Sequence, residues 1–380
     1  MGSLYSHPDT IHCVHSRDRQ KWYVLINRGQ RDLANLPVQL TGSPIQTKPF
    51  NPMIGPTPWV TINMGSRYVP CMHYNATVTN LVGEETSVGV FRQPWGCPNT
   101  VDFTTTRCEL HQLCGFGAKQ FSETNKPDQW FRFILPMFLH AGVIHIGFNM
   151  LLQLTLGREM EIAIGSIRFF LVYISSGIFG FVLGGNFAAP GISSTGASGS
   201  LFGVLALTLL DLLYTWKERP SPGTDLAFIA LDVVISFVLG LLPGLDNFSH
   251  IGGFLMGLAL GICILHSPNA LRKRINQDEP PYTPVRTSGP NQGLTGFAKS
   301  PVGFFKGRKP AWWAWWLVRV ASLVMVFIVF ILLLHNFYGP QTQCSWCKYV
   351  SCIVSYPSKN IWYQSANKNR TCMAGATLAK

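Results

Sequence analysis

Charge is scarce in this chain: only 13% of its 380 residues are Asp, Glu, Lys or Arg, against roughly 25% in an average soluble domain. That deficit argues against a water-soluble globular protein. A leader peptide is lacking too, because Met1 to Leu40 contain no continuous apolar run and carry scattered charge, so membrane insertion falls to internal segments. Residues 1–132 hold no apolar block at all. Internal repeats and coiled-coil heptads are absent, and with them the repeat symmetry and broken mid-membrane helices expected of a channel or transporter. Cys344-Ser345-Trp346-Cys347 has metal-ligand spacing but no second paired motif, so neither a metal nor an organic cofactor is warranted.

What the chain does have is apolar residues in blocks. They make up 47% of the sequence and gather at about 133–156, 167–186, 197–215, 225–244 and 248–266, each block bounded by Gly, Pro or charge. A bilayer-spanning helix needs about 20 such residues, so these read as five spanning helices. Trp312 to His335 forms a sixth, and Trp312, Trp313, Trp315 and Trp316 at its start read as an interfacial aromatic belt. The expected fold class is all-α, a polytopic membrane helical bundle. Its expected parts are an atypical N-terminal segment (1–42), a long lumenal loop (43–132), a core (133–266), a cytosolic linker (267–309), a further transmembrane helix (310–337) and a lumenal tail (338–380).

The formal charge of +12 raises nucleic acid as a partner, but no basic-aromatic recognition motif accompanies it. The basic residues instead flank the apolar blocks: Arg158 and Arg168, Lys217 and Arg219, then Arg272, Lys273 and Arg274. These stretches read as cytosolic, whereas the connections 185–196 and 242–249 have no Lys or Arg and read as lumenal. The partners implied are a lipid bilayer and no nucleic acid. By parity Cys71, Cys97, Cys108 and Cys114, and Cys344, Cys347, Cys352 and Cys372, fall on the lumenal side. Even numbers in an oxidising compartment point to disulfides, with the connectivity open. The sequons at Asn75 and Asn369 lie in the same two segments.

Polar residues inside apolar helices are costly and ask for a reason. Gly196-Ala197-Ser198-Gly199 opens one block, and alone it reads best as a small-residue packing surface. His250 opens another block from the same side. A serine hydroxyl is a weak nucleophile unless a base lies within hydrogen-bond reach, and His250 can be that base. Gly253, Gly257 and Gly261 recur every four residues, allowing the His250 helix to approach a neighbour closely, and that neighbour is expected to carry Ser198. In His140-Ala141-Gly142-Val143-Ile144-His145-Ile146-Gly147-Phe148-Asn149, His145 and Asn149 share a helix face. With the Ser198 backbone N–H they are expected to form an oxyanion hole. Asp246 is expected in a loop rather than in a triad, and Glu161, Asp211 and Asp232 at the cytosolic end, as anchors. Cys263 reads as a packing residue.

His-x4-His-x3-Asn, then Gly-x-Ser-Gly, then His-x2-Gly-x3-Gly, each opening its own helix, resembles the rhomboid family of intramembrane serine proteases over about residues 128–266. Gln129-Trp130-Phe131-Arg132 resembles the family's Trp-Arg element in the first lumenal loop, and Asn51-Pro52-Met53-Ile54-Gly55-Pro56 looks like the loop of eukaryotic members. A helix after the core, as at 312–335, matches the secretory-pathway branch. The resemblance implies a Ser198–His250 dyad acting on transmembrane protein substrates of type I, admitted past the helix at about 225–244. It also implies supporting roles for His140, Gly196, Gly199, Gly253, Gly257, Trp130 and Arg132, and a multi-pass protein of the endoplasmic reticulum, Golgi or plasma membrane. Phe202 stands where many rhomboids have a tyrosine on the catalytic histidine, and the stacking is expected to survive. The family has a helix before its long loop. Here either the first 40 or so residues replace that helix or the functional form differs from this one. The competing reading is a catalytically silent rhomboid-like protein that binds client transmembrane helices. Inactive relatives generally lack the serine or the histidine, and both are present here.

Overall fold

In a bilayer every backbone N–H and C=O must find a partner within the protein, and a helix satisfies them inside one segment. The apolar blocks accordingly fold as helices in the computed structural model, which describes residues 12–15, 22–25, 51, 53–74, 95–97, 107–122, 124–188, 191–240, 245–268, 271, 309–342, 347, 350, 354–355 and 371–372. Two short helices, α1 (Pro58–Asn63) and α2 (Leu110–Cys114), precede the bundle. The third, α3, covers 143–164 as Val143–Leu152, a widened π turn Gln153–Gly157 and Arg158–Ile164. Then come α4 (Ser166–Phe187), α5 (Ser198–Thr215), α6 (Pro222–Leu239), α7 (Asn247–Ile264) and α8 (Pro310–Tyr338). Among the described residues four helices, α4, α5, α7 and α8, are long and apolar enough to cross a membrane. Two-residue ladders join Trp95–Gly96 to Arg107–Cys108 and Val354–Ser355 to Thr371–Cys372, and a four-residue one joins His12–His15 to Trp22–Leu25.

The first apolar block is not the single helix over 133–156 that its composition predicts. Its front half forms two 3-10 turns, Trp130–Phe133 and Leu135–Phe138, and α3 starts only at Val143. Pro136 removes a backbone donor, and Gly142 is fully extended at φ 160°, ψ −177°, so helical backbone cannot run through. At the other end α3 continues past Arg158, Glu159 and Glu161 to Gly165, whose φ of 86° stops it. Charge had marked the wrong boundary because charged residues are good helix formers.

Packing centres on α4, α5 and α7. A Cβ at Gly253 would collide with the backbone of Gly199, and one at Gly257 with that of Gly203, so α7 lies directly on the Ser198 helix, as its glycine spacing predicts. Gly180 of α4 meets the Ser249 carbonyl oxygen at 2.5 Å from its own would-be Cβ, closing the third side. Because the partner atoms are backbone and cannot swing away, Gly253→Val is expected to destabilise the bundle by roughly 3 kcal/mol, the upper end for overpacking. A thermal melt in detergent checks this. Helix α8 docks outside through Ser322, whose hydroxyl donates to the Ala259 carbonyl at 3.1 Å, and Asn336, whose amide donates to Asn186 Oδ1 at 2.8 Å.

The segment ahead of the bundle has a core of its own: Ile62, Tyr68, Cys71, Leu110, Leu113 and Cys114. Disulfides join Cys71 to Cys114 and Cys97 to Cys108, and Cys347 is also disulfide-bonded. The Cys71–Cys114 bridge closes a 43-residue separation, which removes about 4 kcal/mol of chain entropy from the unfolded loop. Paired Cys71→Ser and Cys114→Ser changes are expected to make this segment sensitive to limited proteolysis while the helices stay resistant. The side chains of residues 1–42, both sequons, Cys344, Cys352 and most of the 267–309 linker lie outside the described residues.

Candidate active site

Ser198 is the first residue of α5 and His250 lies in the first turn of α7. The contact of α5 with α7 through Gly199 and Gly253 leaves their side chains facing each other. His250 Nε2 is 2.8 Å from Ser198 Oγ. The serine hydroxyl can donate to that nitrogen when the ring proton sits on Nδ1, the arrangement a general base requires. Phe202, one turn into α5, stacks on the imidazole with ring centroids 4.5 Å apart and planes 8° apart; the missing hydroxyl costs no ring contact. Phe237 of α6 presents its edge to both rings, at 6.5 Å from His250 and 6.1 Å from Phe202. His250 is buried whereas Ser198 is half-buried, so the pair can be approached from the serine side.

Opposite stands α3. The Ala141 N–H donates to His145 Nδ1 at 3.2 Å, which assigns the ring proton to Nε2 and makes that nitrogen a donor. A Cβ built on Gly196 would sit 2.7 Å from His145 Nε2 and 3.6 Å from Ser198 Oγ, so the donor and the Ser198 hydroxyl flank the same glycine. Gly196 has φ 120°, a backbone region that excludes side chains, and its N–H donates to the Pro136 carbonyl at 2.8 Å. The Ser198 N–H meets no acceptor among the described residues and opens a helix, where the dipole favours negative charge. One Asn149 amide proton donates to the His145 carbonyl at 2.8 Å within α3, and the other meets no acceptor among the described residues. His140 lies edge-on to His145 with ring centroids 5.2 Å apart.

The other predicted residues hold the frame. Arg132 is fully buried and donates to the carbonyls of Ile62, Ser66 and Cys114 and to Gln129 Oε1, all between 2.6 and 2.8 Å. Burial pulls its guanidinium down to about 9, so it stays charged at neutral pH, and it locks the segment ahead of the bundle. Trp130 is 61% exposed, and among the described residues its side chain makes no hydrogen bond or ring contact at the site. Asp211 accepts from Arg219 Nη2 at 2.7 Å and from His266 Nε2 at 3.3 Å, at the far ends of α5 and α7. Asp246 is no third member: its carboxylate caps α7 at the Phe248 N–H and binds Ser249 and Arg67, while His250 Nδ1 has no partner among the described residues. No group of three or more potential metal ligands gathers among the described residues.

Two features escape the sequence reading. Met53 and Ile54 carbonyls accept from the first N–H groups of α3, Ile144 at 3.3 Å and Val143 at 3.2 Å, capping the His145 helix. Arg67, the one Lys, Arg, Asp or Glu between Lys48 and Glu84, is buried against Asp246. Its isolation in a polar stretch was the available signal, since a lone charge among neutral residues has to be solvated somewhere.

Comparison with known proteins shows what the whole chain resembles. A rhomboid-domain family model matches residues 127–267. The chain is 53% identical over 338 residues to the rhomboid-type serine protease 2 of Emericella nidulans, covering 83% of this chain and 65% of that protein. It is 32% identical to RHOMBOID-like protein 2 of Arabidopsis thaliana over 62% of this chain and 67% of the relative. It is also 35% identical to inactive rhomboid protein 1 of Danio rerio, over 41% of this chain and 18% of that one.

Proposed function

This chain belongs to the rhomboid family, and from that premise we propose that it is an intramembrane serine endopeptidase working through a Ser198–His250 dyad. Relatives that carry the inactive name show that membership alone does not decide activity. The observation that carries the proposal is the 2.8 Å contact between Ser198 Oγ and His250 Nε2, with the His145 Nε2–H donor beside it.

As Ser198 Oγ attacks the scissile carbonyl carbon, its proton passes to His250 Nε2. Negative charge then develops on the carbonyl oxygen, where the Ser198 N–H and His145 Nε2–H can receive it, with the second Asn149 amide proton in support. Collapse expels the amine, which takes its proton from His250, leaving an ester on Ser198. Water attacks that ester with His250 again as base; as the acyl–Oγ bond breaks, His250 returns the proton to Ser198 Oγ and the acyl half departs as a carboxylic acid.

The substrate class is a membrane protein's transmembrane segment, of type I orientation, in an integral membrane protein of the secretory pathway. Access is lateral, past α6. That helix contacts the bundle mainly through α5, with Ile229 buried and Phe228, Leu231, Val234 and Val238 exposed. A helix held by so few contacts can lean outward at small cost. The test is release of an ectodomain from a type I reporter with a Gly-rich, helix-unstable transmembrane segment, comparing this chain with its Ser198→Ala variant. Binding of the reporter without release by either form would replace the protease with a client-binding protein.

A further inference from the structure

One arginine outside the site touches both the loop that leads to Ser198 and the cap of the His250 helix. Arg67 follows α1 just past the turn at Met64–Gly65, and its backbone forms an isolated two-bond bridge with Ser194: Arg67 N–H to the Ser194 carbonyl and Ser194 N–H to the Arg67 carbonyl, each at 3.0 Å. Hydroxyls brace this junction, with Ser66 Oγ 2.8 Å and Thr61 Oγ1 3.3 Å from Ser193 Oγ. Ser194 lies four residues before Ser198, in the loop that also carries Gly196.

The side chain of Arg67 points the other way in function. Its Nη2 donates to Asp246 Oδ2 at 3.0 Å, and both side chains have no solvent exposure. Asp246 lies four residues before His250 and begins its helix. Its Oδ1 accepts the Phe248 N–H at 2.9 Å, and its Oδ2 accepts the Ser249 hydroxyl at 2.8 Å. A Cβ at Gly184 would strike this carboxylate, so α4 is cut away to admit it. Burial opposes the charge on Arg67 and Asp246 supports it.

A buried ion pair is a poor way to gain stability, because desolvating two charges consumes most of their attraction. Arg67 is nonetheless held at two points, by its backbone bridge and by the Nη2 contact, although its Nε and Nη1 find no partner among the described residues; a support fixed at both ends is what reacting groups need. Because one residue grips the approach to the nucleophile with its backbone and the cap of the base's helix with its guanidinium, we propose that Arg67 is a positioning residue setting the Ser198–His250 separation through Asp246. It touches neither substrate nor the reacting atoms. The assignment rests on the protease reading given above.

The experiment uses the full chain purified in detergent, with three readouts: labelling rate of Ser198 by a serine-reactive fluorophosphonate, kcat and KM on the reporter segment, and thermal midpoint. Asp246→Asn keeps an N-cap side chain but strands Arg67; the double change Arg67→Met with Asp246→Asn makes the pair neutral at similar volume. For both variants we expect labelling per folded molecule and kcat to fall at least 10-fold with KM unchanged, while the double change restores the midpoint toward that of the parent. If the bridge served only stability, labelling would return with the midpoint in the double variant; that outcome, or parental labelling per folded molecule in both, overturns the proposal. A parent that takes up no probe overturns the protease reading and this one with it, whereas a labelled parent beside equally labelled variants overturns this one alone.

Discussion

Ser198→Ala is expected to abolish reporter cleavage, lowering kcat by roughly 10⁴-fold or more while leaving the helical fold and thermal midpoint close to those of the parent. The magnitude follows from the mechanism rather than from packing. Nucleophile and base act as a unit, and losing either removes the covalent route, leaving only what the oxyanion donors and binding contribute. The fold is expected to survive because Ser198 is half-buried and its hydroxyl contacts His250 alone among the described residues. Alanine keeps the start of α5, and the donors at the Ser198 N–H and His145 remain. Reporter release measured beside fluorophosphonate labelling checks both parts. Unchanged release from the variant would eliminate Ser198 as nucleophile, and a collapsed midpoint would show it to be structural.

Gly196→Ala should produce the next largest loss, a fall in kcat of about 10²–10³-fold, the usual effect of spoiling one oxyanion donor. A methyl group there would lie 2.6–2.7 Å from the His145 ring, so the imidazole must turn away from the nucleophile or the loop must shift. The φ of 120° adds strain for any L side chain. Because the added methyl meets the His145 ring and lies near Ser198 Oγ, the loss should fall on kcat with little change in KM. Labelling by the probe, whose phosphoryl oxygen needs the same donors, should slow in parallel. Equal kcat in variant and parent would remove His145 from the reaction.

Both expectations depend on residues legible in the chain before any coordinates. Ser198, His250, His145 and Asn149 stand out because a polar group in an apolar helix must be compensated, and few arrangements compensate all of them at once. The glycine ladder at Gly253, Gly257 and Gly261 was equally legible, since a four-residue repeat of missing side chains announces close helix contact. Where the first block begins was not legible: composition is apolar on both sides of Gly142, and only Pro136 and the extended glycine break the helix.

The sequence by itself determined that this is a membrane-embedded helical bundle, which apolar blocks are helices, and which side chains carry its candidate chemistry, because hydrophobic period and polar exceptions are local properties of the chain. Only the tertiary structure decided which cysteines pair, that Asp246 serves Arg67 instead of His250, and that His145 accepts at Nδ1 and turns Nε2 toward Gly196. Those outcomes depend on contacts spanning 43 residues between Cys71 and Cys114 and 179 between Arg67 and Asp246. A buried charge or thiol takes the partner that folding brings within about 3 Å, and no spacing along the chain encodes that meeting.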